Sequence, residues 1–232
     1  MKKILFIGLF LFSNACLLQA QNIIVFNQDD KYGIMEEESG KVICPAKYDF
    51  IREESEDMWA VNIGGEVEDW GYGEDVTDGK WGFINKTGKE ITPIRFDFVS
   101  DFNYGMAAIT VNDKSGFIDK NGKELVPLKY DRVADFSDGM AIVVVKGKYG
   151  FIDKTGKEII PLTFYDAGDF NNGLAPVRPT EQERKWGYID KTGKIIIPVT
   201  YRNAAPFRLG KANVTLESGE DVQIDKEGKI AK

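Results

Sequence analysis

A unit of about 34 residues recurs along this chain, and it constrains the fold more than any other feature of the sequence. The clearest copy, residues 148–161, reads KYGFIDKTGKEIIP. Its glycine returns at successive spacings of 49, 34, 34 and 37 residues, at Gly33, Gly82, Gly116, Gly150 and Gly187. A sixth copy places Val222 where the glycine would stand. Because repeats of this length bury their apolar faces only against each other, the chain is predicted to fold as a tandem array.

Each copy of the unit is predicted to contain three short strands, which we call A, B and C. Strand A is a β-branched segment such as residues 140–145, strand B carries the glycine motif, and strand C follows it. Between B and C, Asp153 and Gly156 have the spacing of a hairpin turn that closes with a left-handed glycine. A proline is predicted to end strand C because it lacks an N–H for a neighbouring strand. These prolines are Pro45, Pro93, Pro127, Pro161 and Pro198.

The predicted fold class is all-β, with six units and no helical periodicity in the mature chain. The approximate unit boundaries are residues 22–57, 58–105, 106–139, 140–173, 174–210 and 211–232. An open, solenoid-like array of hairpins is favoured over a closed β-propeller, because no unit is split between the termini and the unit is shorter than most blades. The last copy, with Asp221, Val222 and Gln223, is predicted to be a polar cap.

Two copies contain a characteristic Lys-Trp-Gly sequence, at Lys80-Trp81-Gly82 and Lys185-Trp186-Gly187. The sequence resembles the WG-repeat (KWG-repeat) family of bacterial exported and surface proteins over residues 22–232. The other copies replace the tryptophan, by Tyr32, Ser115, Tyr149 and Asp221. The resemblance implies a repeat architecture and a binding or scaffold role at the bacterial envelope, and it implies no catalytic residue.

The N-terminus has the layout of a secretory signal peptide, predicted over residues 1–20. Lys2 and Lys3 precede an apolar run that is too short to span a bilayer, so the mature chain is predicted to be periplasmic or at the cell surface, without a transmembrane span. Removal of these two lysines would change the net charge from −7 to −9. A lipid anchor on Cys16 is disfavoured, because Ser13 and the following leucines depart from the lipidation pattern.

The composition excludes several functions. The chain has no histidine, which removes the commonest general base and every histidine-containing zinc site. An isoelectric point near 4.9 disfavours nucleic-acid binding. The mature chain keeps a single cysteine, Cys44, which is predicted to be a small core residue. No cofactor or metal site is predicted, since the acids lack EF-hand spacing and the lysine-rich turns lack the features of a phosphate loop.

An acidic side chain or asparagine recurs at the start of the B–C turn, at Asn85, Asp119, Asp153, Asp190 and Asp225. A turn that needs a side-chain acceptor explains all five residues, whereas a carboxylate pair for glycoside hydrolysis would explain two. The protein is therefore predicted to be non-enzymatic, and a hydrolase is a distant alternative.

Strand B presents aromatic side chains on one face, including Trp81 and Trp186. The favoured interpretation is an aromatic ladder in the core, because these rings recur at the same offset as the glycines. The alternative is a glycan-binding, lectin-like surface that stacks sugars on these rings.

One segment departs from the repeat in a way that the fold does not require. Ala60 to Gly82 is thirteen residues longer than the same interval in the fourth unit. This A–B insertion is predicted to be an acidic loop, and its candidate binding residues are Glu66, Glu68, Asp69, Trp70, Tyr72, Glu74, Asp75 and Asp78. Aromatic side chains among acids suit a basic protein or peptide, although an acidic insertion without a partner explains the sequence equally well. A shorter A–B insertion, residues 179–184, is predicted to lie on the same side.

Overall fold

The computed structural model describes residues 22–69 and 74–231, and every regular element in this part of the chain is a β-strand. The all-β prediction is confirmed. The predicted signal peptide and Cys16 lie outside the described residues, as do Trp70 and Tyr72 of the insertion.

The three predicted strand types are all present. The A strands are β1 Ile23–Gln28, β5 Met58–Asp69, β8 Met106–Val111, β12 Met140–Val145, β16 Leu174–Arg178 and β20 Ala212–Thr215. The B strands are β2 Lys31–Glu36, β6 Glu74–Asn85, β9 Lys114–Asp119, β13 Lys148–Asp153, β17 Trp186–Asp190 and β21 Asp221–Ile224. The C strands are β3 Val42–Tyr48, β10 Glu124–Tyr130, β14 Glu158–Phe164 and β18 Ile195–Tyr201. In the second unit strand C is reduced to isolated bridges, such as Trp81 to Phe96.

A fourth strand type, D, was not predicted from the sequence. The D strands have two residues each: β4 Phe50–Ile51, β7 Phe98–Val99, β11 Arg132–Val133, β15 Asp166–Ala167 and β19 Asn203–Ala204. Each one follows strand C of its own repeat but pairs antiparallel with strand A of the next, as Arg132 does with Val144. A full sheet therefore has the order D-A-B-C and is built from two consecutive repeats.

The B–C turns have the predicted chemistry. Asp153 Oδ1 accepts the N–H groups of Thr155 at 2.8 Å and Lys157 at 3.1 Å, and Gly156 has a φ of +80°. The equivalent side chains of Asn85, Asp119, Asp190 and Asp225 accept the same pair of backbone N–H groups. These recurrent acceptors thus hold hairpin turns.

The prediction that proline ends strand C is wrong. Pro161 lies inside β14, where the pairing of β13 with β14 shifts register between the pairs Tyr149–Phe164 and Phe151–Ile160. Strand C is the edge of its sheet, so a missing N–H breaks no ladder bond, and the proline occupies a bulge. Pro45, Pro127 and Pro198 lie inside their C strands in the same way.

The bulge explains why strand B needs a glycine. A Cβ atom on Gly150 would lie 2.6 Å from the carbonyl oxygen of Ile160 and 2.9 Å from the backbone nitrogen of Leu162. Gly33, Gly116 and Gly187 are crowded by strand C backbone in the same manner. At Gly82 the nearest atom is instead Cγ1 of the Ile94 side chain, at 2.9 Å, because strand C of this unit is only bridged to strand B.

Five apolar clusters join the six sheets in sequence, each one lying between two consecutive sheets. No cluster of the described residues joins the first sheet to the last, so the open array of hairpins is confirmed. An edge-to-face aromatic pair recurs between strand B and the D–A segment, with ring centroids 4.8 Å apart in Phe151 and Phe170. Cys44 is buried in the first cluster, as predicted.

The last sheet ends in polar side chains. Gln223 Nε2 donates to Asn213 Oδ1 at 3.0 Å, and Thr215 Oγ1 donates to Asp221 Oδ1 at 2.6 Å. Because these four side chains alternate with residues of the core, they form the outer face of the array, as the polar-cap prediction requires.

Candidate interaction site

The acidic insertion forms a β-hairpin arm and not the loop that the sequence indicated. We define the arm as residues 65–78, the outer part of the hairpin made by β5 and β6. Its strands stay in register from Gly65 opposite Asp78 to Asp69 opposite Glu74. Of the candidate residues, Glu66, Glu68 and Asp78 are exposed, and the backbone register places Asp69, Glu74 and Asp75 at the outer end.

The arm is inserted within a two-residue turn. In the third and fourth units the A–B connection consists of two residues with positive φ, Asn112-Asp113 and Lys146-Gly147. In the second unit Gly64 and Gly79 have φ of +84° and +70°, and they follow the pair Ile63–Lys80 that closes the ladder below them. The arm therefore extends outward from the position at which other units make their two-residue turn. The ladder below the pair Ile63–Lys80 is complete without the arm, so the sheet does not depend on it.

A buried amide holds the base of the arm. Asn62 is fully buried, and its Nδ2 donates to the carbonyl of Asp78 at 3.2 Å. Its Oδ1 accepts the N–H of Gly65 at 3.1 Å. Because a buried amide with both ends satisfied fixes its partners, the direction of the arm is set by this residue.

The register of the arm brings acids directly opposite each other. Glu68 is paired with Asp75, and Asp69 is paired with Glu74. Like charges at opposite positions of an antiparallel pair destabilise it. The pair Val67–Val76 alternates with Glu68–Asp75 along the ladder, and Val76 packs against the core cluster between the second and third sheets. The arm is thus attached through Val76, whereas Val67 is exposed and Glu66 and Glu68 lie on the other, solvent-exposed face.

The second A–B insertion borders a charged cleft. Residues 179–185 connect β16 to β17. The cleft has a volume of about 600 Å³ and is lined by Gln182, Glu183, Arg184, Lys185, Arg202 and Glu217. Lys185 Nζ lies 2.8 Å from Glu217 Oε2, so part of this charge is already paired.

The motif aromatics lie in or against the core. Trp81 is only 3% exposed and packs edge-to-face with Phe50. Tyr32, Tyr149 and Trp186 are half-buried against three of the apolar clusters. A ring buried as deeply as that of Trp81 has no free face for a sugar, so the geometry favours the core interpretation of the ladder.

Sequence reasoning missed the role of the lysine that begins the motif. Lys114 Nζ lies 2.6 Å from Asp131 Oδ1 at the C–D corner, and Asp131 Oδ2 accepts the N–H of Lys146 in the next unit at 2.6 Å. Lys31 with Asp49 and Lys80 with Asp97 form the same pair. The Lys114 ammonium, followed by the Lys146 N–H, holds the pKa of Asp131 below its ordinary value. The signal in the sequence was the aspartate that follows the last aromatic of strand C.

Residues 22–69 and 74–231 contain no group of three or more Asp, Glu or Cys side chains that is placed to hold a metal ion. The same part of the chain has no helix long and apolar enough to cross a membrane.

One repeat-family model matches this chain five times. The family model described as "WG containing repeat" matches residues 32–66, 81–114, 116–149, 149–178 and 186–218. The chain belongs to the WG-repeat family. The matched segments of this WG-repeat protein contain the motif glycines, and most of the arm lies between the first two matches.

Solved structures with similar folds are distant in sequence. The computationally designed Ika8 protein shares 12% identity over 91% of this chain and 71% of that chain, with a TM-score of 0.46. KlHsv2 with a replaced loop shares 9% identity over 89% and 75% of the two chains, at a TM-score of 0.47. BamB from Moraxella catarrhalis shares 10% identity over 90% and 71%, at a TM-score of 0.42. These similarities are too distant to assign a function. The sequence has no significant match among curated proteins.

Proposed function

We propose that this WG-repeat protein is an exported, non-enzymatic binding or scaffold module at the bacterial envelope, and that the acidic arm captures a basic segment of a protein partner. The observation that carries the proposal is the pairing of Glu68 with Asp75 and of Asp69 with Glu74. A hairpin that places acids opposite each other is destabilised by their repulsion, and a cationic partner would relieve it. The net charge of −7 would also steer such a partner towards the protein.

Deletion of residues 65–78 tests this proposal without damage to the sheet. It joins Gly64 to Gly79, whose positive φ values already suit a two-residue turn, above the intact pair Ile63–Lys80. We expect the melting temperature to change little and the capture of basic proteins from envelope extract to be lost. Capture by the unmodified protein should weaken as salt is raised, because exposed charges are screened.

Two pairs of charge-reversal substitutions distinguish binding through the arm from attraction by the overall negative charge of the protein. Glu66→Lys with Glu68→Lys reverses two exposed charges on the arm, and Glu124→Lys with Glu158→Lys makes the same change at exposed starts of C strands. Only the first pair should reduce capture. Equal capture by all variants would refute a role of the arm, and hydrolase turnover lost on replacing Glu66 would refute the non-enzymatic assignment.

A further inference from the structure

The outer edge of β1 differs from the same edge of every other A strand. The five D strands cover this edge in β5, β8, β12, β16 and β20. In the first sheet, whose order is β1-β2-β3, no strand from residues 22–69 or 74–231 pairs with the outer edge of β1. Among the described residues, the edge of strand A that accepts an extended strand is therefore covered in five sheets and uncovered in the first.

The filled copies define the contacts that an occupant makes. The N–H of Asp131 donates to the carbonyl of Val144 at 2.9 Å, and the N–H of Ala134 donates to the carbonyl of Ile142 at 3.0 Å. The other four copies repeat both bonds. Alignment on the motif lysine places Asn27 and Val25 of β1 at the positions of these two acceptors. Since the N–H and C=O of one residue point to the same side of an antiparallel strand, Val25 and Asn27 present both groups to the open edge.

The aliphatic residue of each D strand packs beside a fully buried position of strand A. That position is occupied by Val61, Ile109, Val143, Val177 and Val214, which are 2% exposed or less. Its equivalent in β1 is Phe26, which is only half-buried. Ile24 stands where the other units have a buried alanine, and Met35 of β2 is half-buried on the same face. This end of the array is apolar, whereas the other end closes in hydrogen-bonded polar side chains.

The edge also lacks the usual protection against pairing. The segment Ile23–Gln28 contains no charge, proline or glycine, and long apolar edge strands of this kind pair readily with another chain. The exposed acids Asp29 and Asp30 follow directly.

In the filled copies the residue at the C–D corner contacts the A–B turn of the next unit. Asp131 accepts a backbone N–H from the turn at Lys146, whereas Arg202 meets the turn that carries Glu217. Lys185 and, to a smaller extent, Arg202 lower the pKa of Glu217. The turn of Asp29 and Asp30 carries two exposed acids, one more than the turn of Asn112 and Asp113 that Asp97 contacts, so it favours a basic corner residue. A second copy of β1 would bring no basic residue to these acids.

We propose that the open edge of β1 binds an extended segment of a partner protein by strand addition, and that this segment carries a basic residue at the corner and an aliphatic residue two positions later. Main-chain hydrogen bonds to Val25 and Asn27 supply affinity, and Phe26 and Asp29 select the side chains. This site is separate from the arm.

A synthetic peptide of residues 199–209 is the probe, because it contains Arg202 and Ala204 from a filled copy. We expect saturable shifts of the amide signals of Val25, Asn27 and Asp29 in a nuclear magnetic resonance titration of the exported protein. The covered amide of Val144 serves as the internal control and should not shift. A peptide with Arg202→Asp should bind roughly tenfold more weakly because like charges then meet.

Asn27→Pro removes an N–H that faces the open edge while sparing the ladder to β2, and Asn27→Ser is its control. The proline variant should keep its circular dichroism spectrum and lose the peptide, and the serine variant should bind normally. Deletion of the arm should leave peptide binding intact, which separates this proposal from the previous one. Absence of saturable binding at millimolar peptide, or equal binding by the proline variant or by the Arg202→Asp peptide, would overturn it. A dimer that Asn27→Pro dissociates would assign the edge to a second copy instead.

Discussion

Replacement of Gly150 by valine tests the packing of strand C over strand B. A Cβ at this position would lie within 2.9 Å of three backbone atoms, the oxygen of Ile160, the carbonyl carbon of Pro161 and the nitrogen of Leu162. Backbone atoms cannot rotate away as a side chain can, so β14 must shift or detach. Overpacking of this kind costs about 3 kcal/mol, the upper part of the usual range, and corresponds to a fall of roughly 6–12 °C in melting temperature.

Gly82→Val is the matched control, because the closest backbone atoms there, Ile94 Cα at 3.1 Å and the Pro93 oxygen at 3.3 Å, are farther from the Cβ position than those around Gly150. The sequence contains a second comparison at Val222, which occupies the glycine position of the sixth unit, where strand C is only an isolated bridge between Ile224 and Ile230. Urea unfolding of both variants gives the free energies of unfolding, and hydrogen exchange shows whether the amides of β14 open first. A Gly150→Val variant that melts with the native protein, or with a smaller loss than Gly82→Val, would refute the argument.

Three further predictions concern other contacts. Trp81→Ala should cost about 3–5 kcal/mol in urea unfolding, and more than Trp186→Ala, because only Trp81 is fully enclosed. Asp131 has a lowered pKa in the folded protein, so its pairing with Lys114 stabilises the fold above the ordinary value of 3.8 and is lost as pH falls through the lowered pKa. The stability difference between the native protein and Asp131→Asn should therefore shrink from pH 5 towards about pH 2, and a constant difference would contradict this. Asn62→Leu should cost about 1–3 kcal/mol and speed hydrogen exchange at the base of the arm, because two backbone groups lose their partner.

The sequence by itself determined the repeat, the A, B and C strands and the B–C turns. These features are local: the Asp153 turn needs only the next four residues, and the crowded glycine recurs because strand C follows it in the same unit. The polar cap could also be predicted from local sequence, because Asp221, Val222 and Gln223 replace three consecutive residues of the motif in the last copy.

The tertiary structure decided the features that join one repeat to the next. A D strand such as Arg132–Val133 has too few residues to show a pattern, and it is a strand only because Val144 and Val143 of the following repeat are placed beside it. The interior position of Pro161 depended on strand C being an edge, which a single unit does not reveal. The arm became a hairpin because the ladder of β5 and β6 continues through it despite opposed acids, a balance of pairing against repulsion that composition alone does not resolve.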